Sequence, residues 1–308
     1  MSKKAFLFSG QGAQFVGMGK DLYDNFDIAK KYFDEAENIL NKPIKKIIFE
    51  GPEETLKQTE NTQPAVMLMS YIAYKILESE GITADAFAGF SLGEYSALTA
   101  AGILSFEDGM KIIKARGLIM DEQSKKVDGA MAAIIGLEPE QIEEICKKAG
   151  GTIVPANYNS PSQTVVSGER AAVEKACSLA DEAEAMKTVM LNVSGPFHSP
   201  LLEPAADKLR AALDTVKFNP IGNVKILSNV TADYHSDAAL KDMLVKQMYS
   251  PVRWTKTIEK LAADGCETFI EVGPGKTLTG LMKQIDRSKK AYAGGTLDAI
   301  NKIIAEQK

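Results

Sequence analysis

The stretch Ala86-Phe87-Ala88-Gly89-Phe90-Ser91-Leu92-Gly93-Glu94-Tyr95 decides the fold of this chain. An apolar run, Ala86 to Phe90, leads into Ser91, and a helix-forming run, Leu92 to Ala101, leads away from it. Strand, serine, helix is the context in which Gly-x-Ser-x-Gly reads as a nucleophile elbow. A serine on so tight a turn sits in strained backbone, and glycine at both flanks lets strand and helix approach. Its hydroxyl then projects from the carboxyl edge of a sheet, where the N–H groups of the following helix can face an oxyanion. The bland alternative is a glycine-flanked turn serine without chemistry.

Outward from the elbow, the pattern is that of an α/β protein. Ala5–Phe8 reads as a buried strand ending in Ser9-Gly10-Gln11-Gly12, and helical spacing then dominates to Ser79, with a long helix beginning near Pro64. A second helix after the elbow runs from Phe106 to Lys125. From Ala130 the order changes to strand (130–135), helix (139–148), strand (152–158), strand (164–167), helix (171–183) and strand (186–193). That is βαββαβ, the order of a ferredoxin-like unit. Helix and strand alternate again afterwards: helix 203–213, strand 224–227, helices 237–248 and 255–263, strand 268–272 and helix 277–285. Such alternation predicts a mostly parallel sheet. The expected architecture is therefore a discontinuous larger domain, residues 1–125 and 198–308, with a small domain inserted at 126–197.

Composition narrows the function classes. A chain of 308 residues can bury a large core, and 45% apolar with 25% charged residues is ordinary for a globular protein. The net charge of −5, with no basic stripe, argues against a general nucleic-acid binder. Three cysteines without a Cys-x-x-Cys indicate neither a disulfide framework nor a zinc site. The first apolar stretch, Ala5–Phe8, is too short for a signal peptide, and no run reaches membrane-spanning length. A cytoplasmic, monomeric protein with no cofactor, metal or membrane partner is expected.

A serine nucleophile needs a base, and the chain has only two histidines. His198 lies in Val193-Ser194-Gly195-Pro196-Phe197-His198-Ser199-Pro200, a rigid irregular segment where the insert hands back to the larger domain, and domain junctions are common ligand sites. His235 lies in a polar loop, Thr231 to Asp237, that reads as solvated surface, so His198 is the expected base. No aspartate stands out as a third triad member. Arg116 is the second unusual residue: its helical neighbours are Ile112, Ile113, Ile119 and Met120. An arginine on such a face either snorkels outward or meets an anion inside, and beside an elbow a carboxylate clamp is the favoured reading. Gln11 follows the first strand, at the sheet edge where ligands gather. Two phosphate motifs fail: Gly273-Pro274-Gly275-Lys276-Thr277 has Ile270 where a Walker A loop needs glycine, and Gly10-Gln11-Gly12 has Phe15 where a dinucleotide fingerprint needs its third glycine.

Gly10-Gln11-Gly12-Ala13-Gln14, Ser91-Leu92-Gly93-Glu94-Tyr95-Ser96-Ala97, Arg116-Gly117, Asn157 through Gln163, Pro196-Phe197-His198-Ser199 and Glu271-Val272-Gly273-Pro274-Gly275 together resemble the malonyl-CoA:acyl carrier protein transacylases of fatty-acid synthesis. The matches run in order along essentially the whole chain. The resemblance implies an α/β-hydrolase-like fold with a ferredoxin-like insert, and malonyl transfer from malonyl-CoA to acyl carrier protein through a serine ester. It implies Ser91 as nucleophile, His198 as base, and the backbone carbonyl of Gln247 as the group that orients the histidine. It further implies backbone N–H donors at Gln11 and Leu92 for the oxyanion, Arg116 on the malonyl carboxylate, and Asn157 and Asn159 around the site. The chain departs from the family at Phe90, where histidine is usual beside the acyl pocket. The alternatives are a serine carboxylesterase or thioesterase, against which Arg116 speaks, a non-catalytic carrier-protein-binding subunit, and an acyltransferase for a related α-carboxyacyl group such as methylmalonyl.

Overall fold

The computed structural model describes residues 3–307. Its strands are β1 (Lys3–Phe8), β2 (Ala86–Gly89), β3 (Gly129–Ile135), β4 (Ile153–Ser160), β5 (Gln163–Glu169), β6 (Lys187–Met190), β7 (Cys266–Val272) and β8 (Lys290–Ala293). They form two four-stranded sheets. One is wholly parallel in the order β2-β1-β7-β8; the other is antiparallel in the order β4-β5-β3-β6.

Alternation of side chains explains why β1 is apolar from Ala5 to Phe8. Phe6 and Phe8 face a core built with Met67 and Ile72 of helix Thr59–Ser79 and Leu98 of helix Leu92–Ala100. Ala5 and Leu7 face the opposite core, with Ala86, Ala88, Trp254 and Leu261. A parallel strand covered on both faces needs both sets apolar. The antiparallel sheet divides its residues in the same way. Ala130, Ala132 and Ile134 of β3 pack under helices Pro139–Ala149 and Arg170–Glu182, while Met131 and Ala133 face the main core. A cavity of about 280 Å³ opens between the sheets, lined by Met131, Ala133 and Val165 on one side and Ser9, Gly10 and Ser91 on the other.

Several boundaries differ from those read off the sequence. The long helix begins at Thr59, five residues before Pro64, which sits inside it. Proline lacks the N–H that would bond back to Glu60, so the sequence signal for an earlier start is weak. Residues 203–213 divide into a 3₁₀ turn, Pro200–Ala205, and an α-helix, Ala206–Leu213. The expected strand at 224–227 contributes only a parallel bridge, Phe87 to Ile226, and an antiparallel one, Leu227 to Tyr234. The helix expected from Asp237 begins at Leu240. Strand β8 and helix Leu297–Gln307 extend the parallel side beyond the last predicted element.

Candidate active site

Ser91 occupies the turn between β2 and helix Leu92–Ala100 with φ 52° and ψ −108°, a strained conformation for a residue with a side chain. The flanking glycines are sterically required. A Cβ on Gly89 would fall 1.9 Å from the carbonyl of Gly93, and one on Gly93 would fall 2.2 Å from the Phe8 carbonyl oxygen. Asn229 anchors the elbow: its Oδ1 accepts the Ser91 N–H at 2.7 Å and its Nδ2 donates to the Gly89 carbonyl at 2.6 Å. Leu92, the first helical residue, has an N–H with no intrahelical acceptor. Gln11 lies in the turn after β1 and lines the same cavity as Ser91.

Ser91 Oγ lies 2.8 Å from Nε2 of His198. The other ring nitrogen, Nδ1, lies 2.7 Å from the backbone carbonyl of Gln247. A carbonyl only accepts, so Nδ1 carries the proton and Nε2 is left free to take one from the serine. Burial, followed by the Arg116 charge, pushes the His198 pKa down to about 4, against the carbonyl hydrogen bonds that raise it. The imidazole is therefore neutral at pH 7, the state a general base requires. The sequence-predicted pair is assembled, and its third member is a main-chain carbonyl.

Arg116 has no exposed surface, so it does not snorkel. Nη1 donates to Gln63 Oε1 at 2.8 Å, while Nη2 donates to Ser91 Oγ at 3.1 Å and to Gln247 Oε1 at 3.0 Å. The guanidinium also lies over the Tyr95 ring, 5.3 Å from its centre. Burial lowers its pKa, yet an arginine keeps its proton. Nε has no hydrogen-bond partner among the described residues. Arg116 stands one side chain behind the cavity wall, since Gln63 and Ser91 line the cavity and it does not.

His235 is not the solvated loop residue the sequence suggests. It is buried, and its Nε2 lies 2.7 Å from Oε1 of Glu94, itself fully buried on helix Leu92–Ala100. Oε2 of Glu94 accepts the Asn229 N–H and Gln247 Nε2, each at 2.9 Å. Gln247 Nε2 also donates to the Ser91 carbonyl at 2.9 Å. Gln63, Glu94, Tyr95, Asn229 and His235 thus belong to the site although none was assigned to it from sequence. Glu94 carried a signal, as the lone charge within the otherwise uncharged, helix-forming run Leu92–Ala101.

The remaining predicted positions surround the cavity. Asn157 and Asn159 on β4 line it, and Asn157 is bridged to Val252. Phe90 lines it too, with its ring 5.4 Å from Trp254 in an edge-on contact. The rejected phosphate loop has a physical reason for failing. Glu271 occupies the N-terminus of helix Thr277–Ile285, accepting the N–H groups of Leu278 and Thr279 at 3.1 and 2.7 Å. A carboxylate already there repels a phosphate.

A model of the acyl transferase domain matches residues 5–299. The malonyl CoA-acyl carrier protein transacylase of Bacillus subtilis is 46% identical over 297 residues, spanning 95% of this chain and 93% of the relative. That of Escherichia coli K12 is 42% identical over 289 residues, spanning 92% and 93%. Among solved structures, an acyl carrier protein S-malonyltransferase from Vibrio cholerae superposes with a TM-score of 0.94 at 40% identity, over 98% of this chain and 100% of that one. A malonyl-transacylase solved in complex with a type II PKS acyl-carrier protein superposes with a TM-score of 0.96 at 37% identity, over the full length of both chains. Coverage of this extent, joined to a serine–histidine pair on a strained elbow, places the chain in the malonyl CoA-acyl carrier protein transacylase family.

Proposed function

We propose that the chain transfers a malonyl group from malonyl-CoA to the phosphopantetheine thiol of acyl carrier protein, through an ester on Ser91, in support of fatty-acid synthesis. One observation carries the reading: a buried guanidinium 3.1 Å from the nucleophile. An acyl group placed on Ser91 has a cation within reach of its far end, and a carboxylate at that end pairs with it where a methyl group does not. The names of the relatives point to the same chemistry.

Ser91 Oγ gives its proton to His198 Nε2 and bonds to the thioester carbonyl carbon. The carbonyl oxygen becomes an oxyanion held by the N–H groups of Gln11 and Leu92, donors of a kind worth about 2.7–4 kcal/mol each. Collapse breaks the C–S bond, and His198 returns the proton to the departing CoA sulfur. In the second half, the carrier thiol gives its proton to His198 and its sulfur attacks the ester. The C–Oγ bond then breaks, and Ser91 recovers the proton. CoA and carrier protein use the site in turn, which is ping-pong transfer.

The malonyl carboxylate displaces two uncharged acceptors, Gln63 Oε1 and Ser91 Oγ, from the Arg116 fork. A carboxylate meets the guanidinium charge for charge and in a bidentate fork, which an amide oxygen and a hydroxyl do not, so the exchange is favourable. It also lessens the Arg116 charge felt by His198, raising the basicity of the imidazole when the correct substrate is present. Phe90, Asn157 and Asn159 shape the acyl pocket, to which Phe90 presents an apolar ring. The strand orders support an α/β-hydrolase-like body at 1–125 and 198–308 and a ferredoxin-like insert at 126–197. No helix among the described residues is long and apolar enough to cross a membrane. The enzyme is read as a cytoplasmic monomer.

Incubation with malonyl-CoA, followed by intact mass with and without acyl carrier protein, tests the proposal. A malonyl adduct discharged only by carrier protein is expected. Rapid hydrolysis without carrier would make the protein an esterase, and no adduct at all would leave a binding role.

A further inference from the structure

From the buried network beneath the elbow we infer that Glu94, seated by His235, is a positioning residue that sets malonyl selectivity through Gln247. The inference rests on the reading of Arg116 as the carboxylate clamp. Glu94 touches no reacting atom; it acts through the residues that do.

The side chain of Gln247 stands between a cation and an anion. Its Oε1 faces Arg116 Nη2 at 3.0 Å, and its Nε2 faces Glu94 Oε2 at 2.9 Å. A guanidinium only donates and a carboxylate only accepts, so the pair fixes which end of the amide points where. With the amide reversed, its NH₂ would meet Arg116 donor to donor. The same Glu94 oxygen holds the Asn229 backbone, and Asn229 holds the Ser91 N–H. One carboxylate therefore orients both the guanidinium partner and the elbow anchor.

His235 fixes the carboxylate in turn. Nε2 is 2.7 Å from Glu94 Oε1, and Nδ1 is buried with no partner among the described residues. A carboxylate oxygen only accepts, so Nε2 carries a proton and donates it to Glu94. Catalytic His198 draws on Gln247 by a separate route, through the main-chain carbonyl. Disturbing Glu94 should thus lower malonyl transfer more than acetyl transfer, because the elbow anchor serves both acyl groups while the Arg116 fork serves only the one with a carboxylate.

The test is kcat/KM for malonyl-CoA and acetyl-CoA in Glu94→Leu, Glu94→Gln, His235→Leu, His235→Gln and Arg116→Ala. Glu94→Leu removes the acceptor, and the malonyl-to-acetyl ratio is expected to fall by about tenfold, the scale of one lost hydrogen bond to a charged group. Glu94→Gln keeps an oxygen for Gln247 and Asn229 and should restore the ratio to within about threefold of wild type, since the bond it preserves is the one that matters. Should Glu94→Leu fail to fold, the histidine pair decides. His235→Leu leaves Glu94 Oε1 unpaired and should lower the ratio by about threefold, whereas His235→Gln supplies an N–H and should hold it. A purely structural role would lower both thioester activities together. A wild-type ratio in both leucine variants, with Arg116→Ala collapsing it, would overturn the inference and leave the clamp standing. An unchanged ratio in Arg116→Ala would instead remove the clamp itself.

Discussion

Two histidines reach Gln247 by different routes, and the contrast shows how this site divides labour. His198 bonds the nucleophile and is oriented by an uncharged main-chain carbonyl. His235 bonds a buried carboxylate and touches nothing reactive. A serine triad usually gives its carboxylate to the catalytic histidine; here the carboxylate goes to the other one. The arrangement suits a site that already holds a buried cation. Arg116 depresses the basicity of His198, and a carbonyl offsets this only in part, so the resting base is weak. A substrate carboxylate on Arg116 relieves that suppression.

The comparison breaks most visibly at His198. Replacing it with Ala should slow acylation by roughly 10²–10⁴-fold, the range for a lost general base, as read by stopped-flow release of CoA. If His235→Ala were equally slow in that assay, the assignment of the two rings would be reversed.

Arg116→Ala comes next in size. Wild type should prefer malonyl-CoA over acetyl-CoA by at least about ten- to a hundredfold, because a charge-assisted contact contributes about 1.5–3 kcal/mol and each 1.4 kcal/mol is a factor of about ten. The alanine variant should lose most of that preference while sparing acetyl transfer. Lysine should rescue it incompletely, since a point charge does not reproduce the fork.

Acidity gives a subtler test. His198 becomes protonated as pH falls through about 4, so kcat/KM should lose activity on an acid limb near that value and be flat toward neutrality. In Arg116→Ala, followed with acetyl-CoA, the limb should move upward toward the ordinary histidine value of 6.5, because one of the two influences that lower it is gone. An acid limb at the same pH in both proteins would show that burial alone sets the basicity.

The smallest effect belongs to His235. Its replacement by Ala leaves one oxygen of a buried carboxylate unpaired, which should cost about 1–3 kcal/mol of stability by urea unfolding. Acetyl transfer should stay close to wild type. No loss of stability would mean that Glu94 finds another donor.

What the sequence revealed and what it hid divides along the same line. Ser91 and Arg116 were legible because each is a residue type in the wrong place: a serine between glycines on a tight turn, an arginine on an apolar helix face. Glu94 belongs to that class and could have been found by the same signal. His235 was hidden because the loop around it is mostly exposed, as its polarity suggests, while the His235 ring turns inward to meet Glu94 of the elbow helix, a tertiary contact that local composition does not report. The alternating order of strands and helices carried the coarse α/β arrangement through residue 285, apart from the strand expected at 224–227, which contributes only two isolated bridges. Strand β8 escaped because four residues, Lys290–Ala293, are too short to show a period, and the strand exists by pairing with β7.

Where the malonyl group is held decides the mechanism. Wild-type protein and Ser91→Ala should be mixed with malonyl-CoA, quenched, digested and mapped by mass spectrometry. The predicted result is a malonyl ester on the peptide carrying Ser91 in wild type, discharged by added acyl carrier protein, and no adduct in Ser91→Ala. A malonyl adduct of equal yield in Ser91→Ala would place the nucleophile elsewhere and contradict the account.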